Sequence, residues 1–298
     1  MHTRATTRVA VVALVAATAL WGSTFLVTKQ ALSQGTPASV LVWRFGLAAM
    51  VLGLVRLRDV KALSPLDRRH GILLGVFLGS GFLLQTTGLV DTPAGVSGFL
   101  TGTAVVLTPV VAAMWFGHHV GAAGWLAVGG ATVGVAALSL RGLSLSPAAL
   151  LTLGGAACFA LHIASLSEWA TRANAVGLTT LSVAVAAVLC GGAALTRGEL
   201  ALPAGREGWW AVLYLALGAT CLGFVVQAWS QSVLSATTAA VVMTMEPVFA
   251  GLSAGVAGQE ALGMVGWLGG LVVVASMFVA ELGPRRCCDA MSPRIDCC

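Results

Sequence analysis

The chain has 298 residues, of which 58% are hydrophobic and 9% charged, and it carries a net charge of +5. Soluble domains are about one-quarter charged, and a surface of this size could not be covered with so few polar groups, so the chain reads as an integral membrane protein. The basic residues fall in the breaks between apolar runs and nowhere interleave with aromatics, which excludes a nucleic-acid-binding surface.

A membrane-spanning helix needs about 20 apolar residues. Ten such segments follow one another: 9–28, 38–55, 71–90, 95–116, 121–140, 147–168, 176–196, 209–230, 236–257 and 261–281. Arg4 and Arg8 before an apolar run have the outline of a signal peptide, but the run continues through Trp21 to Val27 and more spans follow, so the first helix is read as retained. The segments are separated by Gln34-Gly35-Thr36-Pro37, Asp91-Thr92-Pro93, His118-His119, Arg141-Gly142 and Arg197-Gly198-Glu199. The longest strongly basic break, Arg56 to His70, is read as a loop.

Charge fixes the expected orientation. With a cytoplasmic N-terminus, eleven basic residues face the cytoplasm: Arg4, Arg8, Arg56, Arg58, Lys61, Arg68, Arg69, Arg172, Arg285, Arg286 and Arg294. Only Lys29, Arg141, Arg197 and Arg206 face the other side, so both termini are expected to be cytoplasmic.

The chain restates itself. Gly81-Phe82-Leu83-Leu84-Gln85 returns 142 residues later as Gly223-Phe224-Val225-Val226-Gln227, and Gly121-Ala122-Ala123-Gly124-Trp125-Leu126 returns at the same offset as Gly263-Met264-Val265-Gly266-Trp267-Leu268. Ten helices in two copies give five per copy, and an odd number inserts the second copy upside down. The expected fold is all-α, with two inverted five-helix repeats over 9–140 and 147–282, a cytoplasmic N-terminus over 1–8 and a cytoplasmic tail over 283–298. Such repeats typify transporters that hold substrate near the midplane. Pro109-Val110 and Pro247-Val248 also correspond, but at an offset of 138, a slip of about one helical turn.

Within the spans, Glu246 stands out. It lies near the centre of its segment, where an ionised carboxylate is costly and usually functional, and Pro247 removes a backbone donor beside it. It is a candidate proton carrier or partner for a substrate amine; the alternative is a neutral carboxyl bonded to a neighbouring helix. Gln85 and Gln227 occupy equivalent places and either line one cavity from two sides or tie helices together. His162 is a second intramembrane candidate, against a structural hydrogen-bonder. Arg44 follows Trp43 and is read as reaching the headgroups rather than binding an anion. In the first span, Trp21 is too deep for an interfacial anchor and is expected to wall a cavity, while Gly22, Ser23 and Thr24 allow close helix approach. No HExxH, Walker loop or assembled triad is present, which argues against an enzyme and an ATP-driven pump.

Cys158, Cys190 and Cys221 sit singly in apolar runs and read as small buried hydrophobes. Cys287, Cys288, Cys297 and Cys298 cluster with Asp289 and Asp296 in the tail, but their spacing fits no zinc pattern and no cofactor or metal is expected.

Several motifs together resemble the EamA-like branch of the drug/metabolite transporter superfamily, from Trp21 to Leu282. They are Leu20-Trp21-Gly22-Ser23-Thr24-Phe25, Pro37 with Trp43-Arg44-Phe45, the Pro109 helix, Met245-Glu246-Pro247-Val248-Phe249-Ala250 and Gly258-Gln259-Glu260. The resemblance implies a 5+5 inverted-repeat fold and transport, often export, of small metabolites. The family's Glu between the last two helices of each copy matches Glu260 in the second copy, whereas the first copy has His118-His119. The expected function is a secondary transporter of the plasma membrane, an exporter of an amino acid or drug-like metabolite driven by protons. A facilitator, a lipid-modifying membrane enzyme and a structural membrane protein are the alternatives. Membrane lipid and a small-molecule substrate are the expected partners, with a homodimer left open and nucleic acid excluded.

Overall fold

The computed structural model describes residues 2–117, 121–141, 144–171, 173–234, 242–257 and 264–282. Its helices are α1 (His2–Leu32), α2 (Pro37–Lys61), α3 (Pro65–Leu89), α4 (Ala94–Phe116), α5 (Ala122–Ser139), α6 (Pro147–Trp169), α7 (Ala175–Thr196), α8 (Gly205–Leu213), α9 (Gly223–Val233), α10 (Glu246–Val256) and α11 (Met264–Leu282). A π-helical segment, Tyr214–Leu222, joins α8 to α9 in one continuous rod. Two-residue strands β1 (Leu140–Arg141) and β2 (Ser144–Leu145) pair antiparallel between α5 and α6.

One local device opens three of the helices. A hydroxyl residue caps the first turn and a proline, whose missing N–H costs nothing there, takes the first helical position. Thr36 accepts from the Ser39 N–H at 3.3 Å before Pro37, and Ser146 accepts from Ala149 at 3.1 Å before Pro147. Ser64 and Asp67 form a full capping box around Pro65. This corrects the reading of Arg56 to His70 as a loop. α2 runs on to Lys61 across an irregular Arg56, α3 starts at Pro65, and the basic residues sit on helix ends.

Seven helical stretches are long and apolar enough to cross a membrane: Thr6–Leu32, α2, α3, α4, α6, α7 and the rod over Gly205–Ser230. α5 and α11 contain shorter apolar stretches, Ala122–Gly134 and Met264–Val279. The expected span 236–257 is interrupted: the chain turns at Thr244 and Met245, and α10 begins at Glu246. α4, by contrast, carries Pro109 inside an unbroken helix. The second copy is four residues shorter between Met243 and Pro247 than the first between Thr101 and Pro109, and its break falls in that interval.

The halves, 1–139 and 147–282, pack by exchange. α2 lies along α7 and α5 along α11. α3 packs on α6 as the rod packs on α1; α4 packs on α6 as α10 packs on α1. Each repeat glycine admits an aromatic ring from the first helix of the other half. A methyl at Gly81 would lie 2.7 Å from the Phe159 ring, and one at Gly223 would lie 2.5 Å from the Trp21 indole nitrogen. The repeat segments therefore seat on opposite first helices rather than chiefly on each other.

Large apolar side chains point outward, with Met114 83% and Leu54 79% exposed, as lipid-facing positions require. Hydroxyls inside the bundle fold back onto their own helices, as Thr24 does onto Trp21 and Thr103 onto Leu100, leaving few polar groups to satisfy in an apolar medium. Side-chain ties gather at the two ends. At one end the Asn174 amide donates to Asp67 at 2.9 Å, and His70 stacks on Trp169 at 4.2 Å. At the other, Lys29 donates to the carbonyls of Leu89 and Thr92, while Ser39 and Trp43 both donate to the Ala201 carbonyl.

The approach of α1 to α10 yields a test. A methyl at Gly22 would lie 2.6 Å from Phe249 Cβ, 2.7 Å from the Ala250 nitrogen and 2.8 Å from the Glu246 carbonyl oxygen, two of them backbone atoms that cannot yield. Gly22→Ala should cost about 1–3 kcal/mol and lower the melting temperature in detergent. Gly46→Ala, with open space around it, should leave that temperature unchanged. Equal melting temperatures in the two variants would refute the contact.

Candidate functional site

The site is built on the π-helical segment of the rod. The wider turn moves hydrogen bonds out of register: the Gly223 N–H turns to the carbonyls of Gly218 and Thr220 and skips Ala219. The Ala219 carbonyl accepts instead from Trp21 Nε1 at 2.8 Å. One residue on, Thr220 donates its hydroxyl to the Leu215 carbonyl at 2.9 Å and accepts from Arg44 Nε at 3.1 Å. π-helical turns recur where a helix must present backbone or side chains irregularly, often at functional sites.

Arg44 does not reach for an exposed end, which corrects the expectation drawn from its sequence context. Its side chain is buried, with 3% of the residue exposed. The guanidinium carbon lies 4.4 Å from the Phe82 ring centroid and 5.5 Å from that of Phe45, and the two rings meet edge to face at 5.0 Å. Glu246 opens α10 and interacts electrostatically with Arg44 without closing to ion-pair contact. Its position at the start of a helix suits a negative charge. Pro247 packs beside Gly102 of α4. At about 1.5 Å per residue, Arg44 lies about 10 Å along α2 from its start. By the same rise Glu246 and Trp21 lie about 15 Å from the ends of α10 and α1 on that side.

The other candidates are placed differently. Trp21 is 7% exposed, tilted against Phe224 at 5.8 Å and held by its indole bond, so it fastens α1 to the rod. Ser23 bonds the Leu20 carbonyl and the Tyr214 hydroxyl, each at 2.6 Å, and Thr24 bonds the Trp21 carbonyl at 2.6 Å. Gln85 and Gln227 do not share a cavity. The Gln85 amide, 8% exposed, donates to Thr101 at 2.8 Å, and that of Gln227 to the Met243 sulfur at 3.8 Å. The two bonds are one interaction copied at the offset of 142, tying the third helix of each half to the fourth. His162 Nδ1 lies 3.0 Å from the Leu74 carbonyl, which places the proton on that nitrogen. His162 and Gln227 line a cavity of about 20 Å³ with Thr179, Ser182 and Phe224, room for one water.

Thr220 and Phe82 escaped the reading of the sequence as partners of Arg44. Phe82 stands inside the repeated segment, so a signal was present; Thr220 stands in an apolar run with nothing to mark the π turn. His118-His119, Glu260 and the cysteine cluster of the tail lie outside the described residues.

Comparison with known proteins places this geometry. The model of the EamA-like transporter family matches twice, over residues 8–140 and 146–281. An uncharacterized transporter of Archaeoglobus fulgidus is 28% identical over 265 residues, covering 88% of this chain and 82% of its own length. A crystal structure at 23% identity superposes with a TM-score of 0.60 over 92% of this chain and 97% of its own, a likeness of fold. With both halves matched and the helices assembled as above, the chain belongs to the EamA-like transporter family and is a multi-pass membrane transporter.

Proposed function

We propose that the protein is a secondary transporter of the plasma membrane that exports a small metabolite, an amino acid or a drug-like compound, by alternating access coupled to protons. The observation that carries the reading is Arg44 and Glu246 facing each other unpaired in the middle of a bundle whose halves exchange helix partners. Buried charges without partners are expensive, and a protein keeps them where something is to be bound or moved. Two five-helix halves, 9–140 and 147–282, inverted relative to each other, supply the rocking elements of such a cycle. An enzyme would need reacting groups brought together, and the polar side chains near Arg44 are engaged in packing instead.

Glu246→Gln tests the coupling. If Glu246 carries the proton, the variant folds and inserts, loses transport driven by a pH gradient, and keeps exchange of substrate across the membrane. If it binds only a substrate cation, affinity falls while the response to a pH gradient persists. Uptake into liposomes with and without a gradient, normalised to folded protein, separates the two. A facilitator would show no response to the gradient in the native protein, and unchanged kinetics in the variant would remove Glu246 from the mechanism.

The orientation has its own test. Reporter domains fused after Lys61 and after Arg286 should both report the cytoplasm, because the basic ends of α2 and α3 lie on the side that holds the termini in the five-plus-five arrangement. An external signal from either fusion would overturn the inverted repeat.

A further inference from the structure

We infer that Arg44 and Glu246 form the two ends of a subsite for a zwitterion, a solute with a carboxylate and an ammonium on neighbouring atoms; the inference rests on the transport reading and gives it a substrate class. The argument begins with the faces of the guanidinium. Its Nε edge is taken by Thr220 at 3.1 Å, and its plane is backed by Phe82 at 4.4 Å. That leaves the edge formed by Nη1 and Nη2, two parallel N–H groups whose spacing matches the two oxygens of a carboxylate. Neither nitrogen has a hydrogen-bond partner, and neither is among the atoms sealed from accessible space. The same holds for both carboxylate oxygens of Glu246. A buried guanidinium pinned on one edge and one face presents a fixed, unsatisfied fork.

Glu246 sets what else the ligand must carry. A simple anion on Arg44 would bring a second negative charge into the low-dielectric field of Glu246, and a simple cation on Glu246 would meet the guanidinium. Neither is a good guest. A zwitterion satisfies both charges at once, bidentate on Arg44 through its carboxylate and charge-assisted on Glu246 through its ammonium. The gap suits this: the two side chains sense each other electrostatically yet stand farther apart than an ion pair, leaving an interval for a small dipole.

The test uses the full-length protein in lipid nanodiscs and three probes: the mixed protein amino acids, their α-amides, which lack the carboxylate, and their N-acetyl derivatives, which lack the cation. Binding is read by thermal stabilisation and calorimetry. The amino acids should bind at least about tenfold more tightly than either derivative, the equivalent of one charge-assisted hydrogen bond. Arg44→Lys should lose about tenfold for amino acids while leaving the amides unchanged, and Thr220→Val, which frees the guanidinium, should do the same more weakly. Glu246→Gln should bring amino acids and N-acetyl derivatives to within about threefold of each other. These ratios are indifferent to how stable each variant is. Equal binding of amides and amino acids, a uniform loss across all probes in every variant, or binding of none of the three overturns the inference. A protein that binds no probe yet moves a cationic dye across liposomes sinks the subsite and leaves the transport reading intact. One that binds the amino acids with these ratios but moves no solute does the reverse.

Discussion

Taking a guanidinium out of water costs several kcal/mol unless its surroundings return what the solvent gave, and at Arg44 that demand shapes the centre of the protein. Part of the return comes from Thr220, which can both accept from Arg44 and donate to Leu215 because the rod winds as a π-helix there. Part comes from the face of Phe82, held edge to face between Phe45 and Phe159. The same π turn releases the Ala219 carbonyl that fastens Trp21. One irregular segment thus serves two helices of the opposite half, α1 through its backbone and α2 through a hydroxyl.

The halves are alike in how they pack and unlike where the charge sits. Gln85 with Thr101 and Gln227 with Met243 repeat a single bond, and Gly81 with Phe159 repeats the seat that Gly223 gives Trp21. Beyond Met243 the likeness fails, because the second half lacks four residues and its helix restarts at Glu246. The restart directs the first turn of α10 into the bundle where α4 offers only an unbroken helix. A carboxylate at that point gains from the unpaired N–H groups of the first turn, which its counterpart in α4 would not.

Much of this was written locally. The Thr36-Pro37 and Ser146-Pro147 starts are chemistry within four residues, and the offset of 142 exposes the equivalence of the glutamines. The capping signature Ser64-Pro65-Leu66-Asp67 was equally local, yet the charges around it made the stretch look like a loop. What the residues could not disclose depends on partners far along the chain. Whether Arg44 turns outward or inward is decided by a threonine 176 residues away, and whether Gln85 faces a cavity or a neighbour is decided by the threonine that α4 brings to it. The π-helical winding left no trace, since Tyr214–Leu222 is as apolar as the α-helices beside it.

That winding also makes the rod sensitive to length in a way the other helices are not. A π turn spends more residues than an α turn to make the same circuit, so removing one residue between Tyr214 and Leu222 would let the backbone relax to ordinary α-helix with its hydrogen bonds complete. Everything beyond the deletion would then rotate by about 100°. Gly223 would swing its open side away from the Trp21 indole, and Gln227 would leave both Met243 and the chamber it lines with His162. The segment is a phase-setter: its surplus winding fixes the azimuth at which the second copy of the repeated motif meets the first half.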